Sequence, residues 1–144
     1  MINDRDIHEY LLNRGVKPSV QRIAIMRYLK THFTHPTADE IYTALSPSMP
    51  TLSKTTVYNT LRLLADHRAI LSLDIDGKNT HYDGDASAHA HFRCRCCGTI
   101  YDLPLVEAAG RFIVADPGTV IDEIQVYGKG ICRNCYETSK LTEI

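Results

Sequence analysis

Two cysteine pairs with the same two-residue gap, Cys94-Arg95-Cys96-Cys97 and Cys132-Arg133-Asn134-Cys135, constrain this chain of 144 residues more than any other feature. Such a gap lets both thiolates of a tight turn point at one tetrahedral ion, and two turns complete a closed four-sulfur site. The 34 residues between the pairs exceed the usual ribbon spacing of ~15–20, so the site has to join distant segments. Gly98 and Gly130 supply the backbone freedom that such knuckles need. A closed thiolate site has no open position for a substrate, so structural zinc on Cys94, Cys97, Cys132 and Cys135 is the expectation. A redox-active dithiol would need only one pair and a thioredoxin-like setting, which is missing. Ordinary core packing accounts poorly for four cysteines in matched pairs. Cys96 is left over. On a strand its side chain points opposite to that of Cys97, which makes it a buried thiol or a bystander rather than a ligand.

The rest of the composition fits this reading. No apolar run reaches the ~20 residues that span a bilayer, and the N-terminal MINDRDIHEYLLNRG has no secretory core. The expected location is therefore the cytoplasm, where clustered thiols hold metal more often than they form disulfides, and no membrane partner is expected. The net charge of −1 excludes a polybasic coat. Its distribution is uneven: residues 1–80 hold ten Lys/Arg against eight Asp/Glu, whereas residues 81–144 hold six against nine. A DNA-binding first half is permitted but not demonstrated by that balance.

The two halves follow different patterns. PSVQRIAIMRYLKTH opens with the helix-start residues Pro18 and Ser19 and is apolar all around its middle, as a buried helix would be. In HPTADEIYTALS, Thr37 and Glu40 form a capping box, and SPSMP ends that helix. TLSKTTVYNTLRLLADHRAI then begins with Ser53 as N-cap and carries one apolar stripe, Val57, Leu61 and Leu64. Lys54, Thr55, Tyr58, Asn59 and Arg62 lie away from the stripe. ILSLDI and THYD flank the turn Asp76-Gly77, a hairpin signal. Three helices and a hairpin are the order of a winged helix-turn-helix. An exposed helix face is usually just solvated surface, but here cations stand beside hydroxyl and amide groups, which suit phosphates and base edges. In the second half, HAHFRC and TIYDLP read as strands around the Cys-Gly turn, and TVIDEIQVYGKGIC is rich in strand formers. LVEAAGRFIVAD has helical spacing weakened by Gly110, and YETSKLTEI forms a last short helix. The expected fold is α+β: a winged-helix DNA-binding domain over residues 1–83, a hinge at 84–87, and a zinc-containing domain over 88–144.

A second donor set surrounds that hinge. His89 and His91, two apart on a strand, share one face, and Asp102 returns beside them after the turn. His81 and Asp83 repeat the i, i+2 spacing just before the hinge, and His35 stands on the loop that leads into the Thr37 helix. Imidazoles with carboxylates suit Fe(II), Mn(II) or Zn(II), unlike a sulfur-only site. Any one of these histidines alone would be surface decoration. Their joint appearance on both sides of a domain boundary points to a metal that couples its own binding to domain orientation. A zinc deaminase is disfavoured, because His-x-Glu with a later Pro-Cys-x-x-Cys is missing. A zinc-ribbon interaction module without a DNA role is the other competing class.

With HPTADEIY, TTVYNTLRLL, HAHFRCRCCG and YGKGICRNC in this order and spacing, nearly the whole chain resembles the ferric-uptake-regulator (Fur) superfamily of bacterial metal-dependent repressors. The resemblance implies a winged helix followed by an α/β dimerisation domain. It also implies a homodimer that binds AT-rich palindromic operators when metal is present. By motif position it makes the four paired cysteines the structural zinc ligands. His35, Asp83, His89, His91 and Asp102 become the regulatory ligands, and Tyr58 and Arg62 are placed in the recognition helix. Aspartates at 83 and 102, where iron regulators carry glutamates, are similar to the peroxide-regulator (PerR) branch. That branch implies Fe(II) as sensing ion, Mn(II) as a redox-silent substitute, and oxidation of His35 or His91 as the signal. An iron-responsive regulator of the same fold is the alternative. A further metal site is weakly supported, because Ala88 and Ala90 stand where extra ligands would be expected.

Overall fold

The computed structural model describes residues 2–105 and 116–142. It divides into two compact units, Met1–Ala86 and Ser87–Ile144.

Unit one is four helices and a hairpin. Helix α1 (Asp4–Asn13) starts at Asn3, whose side chain and that of Asp6 satisfy each other's backbone N–H groups in a full capping box. The sequence reading counted three helices. The missing one is short and polar, showing only Ile7 and Leu11 to the core, at i and i+4. Helix α2 (Val20–Thr31) is capped by Ser19 and buries Ala24, Ile25, Met26 and Leu29. Helix α3 (Ala38–Leu45) is capped by Thr37, which accepts from Glu40 N–H at 3.2 Å, the first half of the expected box. Helix α4 (Lys54–Asp66) is capped by Ser53, which accepts from Thr56 N–H. Its stripe of Val57, Leu61 and Leu64 is fully buried in a core shared with Ile7, Leu11, Ile25 and Leu29. Strands β1 (Leu71–Leu73) and β2 (His81–Asp83) then pair antiparallel, with Leu73 opposite His81. Asp76 closes their turn by accepting from Lys78 N–H and Asn79 N–H, both at 2.7 Å. From α2 to β2 the order is that of a winged helix-turn-helix.

Unit two is built on a three-stranded sheet in the order β4-β3-β5. Strand β3 (Ala90–Cys94) pairs antiparallel with β4 (Ile100–Leu103) and parallel with β5 (Tyr127–Gly130). Helix α5 (Arg133–Thr142) follows and starts earlier than the YETSKLTEI segment. The strand expected across TVIDEIQVYGKGIC shrinks to four residues. β3 is only five residues long, and its pairing with this segment begins at Val126, whose carbonyl accepts from His91 N–H at 3.0 Å, while Val120, Ile121 and Ile124 before it are exposed. The helix expected from LVEAAGRFIVAD falls almost wholly on 106–115, outside the described residues. Among the described residues of this unit the buried apolar set is small: Ala90, Cys94, Ile100 and Cys132.

Candidate metal centres and recognition helix

Four sulfur atoms meet in unit two. The Sγ atoms of Cys94, Cys97, Cys132 and Cys135 all lie within 4.8 Å of one another, and Cys97 Sγ stands 3.9 Å from Cys132 Sγ. A tetrahedral zinc with bonds of ~2.3 Å sets sulfur–sulfur edges of about 3.8 Å, so the donor set fits that ion. The first knuckle follows from local chemistry. Cys94 ends β3, residues 95–97 turn, and Gly98 at φ +76 donates its N–H to Cys94 O at 2.8 Å. Strand β5 runs beside β3 and ends at Gly130 opposite Cys94, which delivers Cys132 and the first turn of α5 to the same place. Cys132 N–H donates to Cys94 Sγ at 3.3 Å. Backbone N–H groups of Cys132 and then Cys97 hold the Cys94 thiol down to about 5. The Cys135 N–H and then the Tyr101 hydroxyl lower that of Cys132, whereas hydrogen bonds to Cys132 and Cys94 push the Cys135 thiol up. Two of the four, Cys94 and Cys132, are thus favoured as thiolates, the form that binds metal, at the expense of Cys135. Cys96 sits in the turn and is exposed, so it is a bystander and not a buried thiol. The strand argument for its direction does not apply, because β3 has already ended.

The five nitrogen and oxygen donors divide between the units. In unit one, His35 Nε2 lies 3.4 Å from Asp83 Oδ2, and the two side chains are buried to 3% and 0% exposure. His35 has a backbone φ of +57, uncommon for a residue with a side chain and a form of local strain worth about 1–3 kcal/mol. In unit two, the β3–β4 register sets His91 directly opposite Asp102. Asp102 Oδ1 is 3.3 Å from His91 Nε2 and 3.2 Å from His89 Nε2, and the imidazoles lie 4.3 Å apart between centroids. The i, i+2 spacing does place both histidines on one face. His89 is further oriented by a bond between Nδ1 and Ser87 O at 2.7 Å. His91 is completely buried, whereas the Asp102 side chain is 41% exposed.

The candidate recognition residues stand on α4 with Lys54, Thr55, Tyr58, Asn59 and Arg62 all exposed. Tyr58 donates its hydroxyl to Asp39 Oδ1 at 3.2 Å, and Lys54 Nζ lies 4.0 Å from the same oxygen. Partial desolvation and then the Asp39 carboxylate raise the Tyr58 hydroxyl above its ordinary pKa. A groove of about 430 Å³ beside this face is lined by Lys17, Ser19, Gln21 and Arg22 as well as Thr56 and Asn59.

These features match one family along most of the chain: the model of the Ferric uptake regulator family covers residues 13–127. The chain belongs to that family. The peroxide-responsive repressor PerR of Staphylococcus epidermidis is 38% identical over 132 residues, which is 88% of this chain and 86% of that protein. Among solved structures, PerR from Streptococcus pyogenes is 31% identical with a TM-score of 0.52, covering 94% of each chain. The ferric uptake regulator Fur of Helicobacter pylori superposes with a TM-score of 0.72 at 22% identity, covering 94% of this chain and 95% of that one, which speaks to the fold.

The structure of this family member also shows contacts that the sequence reading did not foresee, at His81, which it had grouped with Asp83, and at Gly84. His81 is not turned toward Asp83. Its Nδ1 lies 2.7 Å from His35 O and its Nε2 2.5 Å from Asp76 Oδ2. Burial acts to raise the Asp76 carboxyl, but the N–H groups of Lys78 and Asn79 and the His81 ring outweigh it and bring it down to about 2. Gly84 is the other. A Cβ built there would stand 2.3 Å from the Leu29 carbonyl oxygen, so the exit of β2 lies directly on the last turn of α2. Asp83 keeps its place through that approach, and Asp85 N–H bonds its Oδ1 at 2.9 Å. Gly84→Ala should destabilise unit one by about 1–3 kcal/mol, the cost of forcing an extra carbon against packed atoms. Urea unfolding monitored by circular dichroism checks this; an unchanged midpoint would contradict the close approach.

Proposed function

We propose that the protein is a metal-dependent DNA-binding repressor that senses hydrogen peroxide through oxidation of a ligand histidine. One observation carries the reading. Three imidazoles and two carboxylates stand on two separate units, and the unit bearing His35 and Asp83 also bears the exposed α4 face. Two donors in one unit are too few to hold an ion well, whereas five donors from both suit an Fe(II) or Mn(II) centre. An ion that uses all five favours one arrangement of the units by its differential affinity for it. In that arrangement the homodimer presents two α4 helices to an AT-rich palindrome. Lys54 and Arg62 meet phosphates, and Thr55, Tyr58 and Asn59 meet base edges. The aspartates at 83 and 102 and the likeness to peroxide-responsive repressors favour peroxide over iron supply as the signal.

Zinc on the four cysteines has a structural role here, holding together a unit whose described apolar core is small. Fe(II) held by the five nitrogen and oxygen donors would activate peroxide as a catalyst, the two electrons that reduce H2O2 coming from the histidine ring. His35 and His91 stand within reach of that chemistry as ligands. One oxygen atom of H2O2 enters a ring C–H bond of the histidine and the other leaves as water, and the altered ring is a poorer ligand.

Two measurements follow. Metal analysis of the purified protein should find one tightly held zinc per chain. Cys96→Ser should retain it, whereas Cys94→Ser or Cys135→Ser should lose it together with unit-two structure. Equal zinc content in all three variants would contradict the assignment. Fe(II)-loaded protein treated with dilute peroxide should lose its DNA affinity while peptides containing His35 or His91 gain one oxygen atom; Mn(II)-loaded protein should do neither. Full release from DNA with both peptides unmodified would refute the sensing mechanism. Binding that tracks Fe(II) supply and survives peroxide would establish the iron-responsive alternative.

A further inference from the structure

The left-handed backbone of His35 needs an explanation, because Pro36 follows it and disfavours the ordinary helical conformation. The segment that carries it is fastened to β2 in two places. His81 Nδ1 donates to His35 O at 2.7 Å, and Tyr82 N–H donates to Pro36 O at 2.9 Å as part of the isolated antiparallel bridge between Thr37 and His81. The second is backbone and indifferent to residue type. The bond to the His35 carbonyl itself is made by a side chain. That side chain is held in turn, since His81 Nε2 faces Asp76 Oδ2 at 2.5 Å. The other oxygen of Asp76 is fixed by the backbone N–H groups of Lys78 and Asn79. A continuous line of hydrogen bonds therefore runs from the tip of the hairpin through Asp76 and His81 to the His35 peptide. A ring that merely filled space under the hairpin would not need acceptors at both nitrogens.

We infer that His81, held by Asp76, is a positioning residue that fixes the left-handed backbone of His35 and thereby aims the His35 imidazole at Asp83. The consequence for metal binding rests on the regulatory-ion reading given above. The consequence for the backbone does not. With the carbonyl released, His35 relaxes toward the extended conformation that a residue before proline prefers, and its imidazole leaves Asp83. Outer partners that orient a ligand typically control 10–100-fold in metal affinity.

The test uses the whole chain holding only its structural zinc, as wild type and as two variants, His81→Leu and Asp76→Ala, the second of which keeps the imidazole in case the first fails to fold. The His35 Cα and Cβ chemical shifts report its φ directly. Wild type should show the positive-φ signature, and both variants should move toward extended values. Unchanged His35 shifts in either folded variant would overturn the assignment. A Mn(II) titration of the same samples should show affinity lowered by about 10–100-fold in His81→Leu. A shifted His35 backbone with wild-type Mn(II) affinity would overturn the link to the ion. Absence of any Mn(II) binding by wild type would instead refute the regulatory-ion reading, and the chemical shifts would still decide the backbone claim.

Discussion

The approach of four cysteine sulfurs is the constraint on which unit two depends. It joins the turn after β3 to the segment that opens α5 across the 34 residues between Cys97 and Cys132, where the described apolar burial is sparse. Once Cys94 is fixed at the end of β3, the rest of that strand is fixed too. His91 lies three residues back on it, and its cross-strand partner Asp102 is set by register. The sulfur cluster and the histidine–aspartate face are thus two ends of one short strand. Thiol donors gather at the turn, and imidazole and carboxylate donors at the opposite end, two chemistries that favour different ions.

Unit one achieves the equivalent result without sulfur. Its apolar core fixes α2 and α4, and the hairpin is laid against α2 where Gly84 meets the Leu29 carbonyl. That contact places Asp83. The fastening of residues 35–37 to β2 places His35, at the expense of an unfavourable φ. Both donors therefore sit on backbone that the fold has pinned from two sides. Such rigidity is what a ligand pair needs if binding is to report on domain arrangement and not simply pull a loose loop inward.

What could be read from the sequence was local. Ser19, Thr37 and Ser53 announce their helices because N-caps act within three residues. The Asp76-Gly77 turn and the paired cysteines are equally short-range signals. His89, His91 and Asp102 could be placed on one face because strand periodicity and one tight turn suffice. The parallel pairing of β5 with β3 could not be seen, since it joins residues 36 apart with no turn chemistry between them, as His91 with Tyr127. Helix α1 was hidden by its polar sequence. For Cys96 the sequence left a buried thiol or a bystander open, and its exposure in the turn removes the first, a point hidden because a strand was extended into that turn. His81 was grouped with Asp83 by spacing alone, and only the fold shows its ring engaged elsewhere. Gly84 has a function only because a carbonyl from α2 happens to lie beside it.

The central claim is that donors from both units serve one ion. Pulsed electron paramagnetic resonance of Mn(II)-loaded full-length protein tests it most directly, because each coordinated imidazole contributes a nitrogen coupling. The account predicts one Mn(II) per chain, coupled to the nitrogens of His35, His89 and His91. It also predicts that one coupling is lost in His35→Ala and one in His91→Ala. A bound Mn(II) that keeps every imidazole coupling when His35 is removed would contradict it.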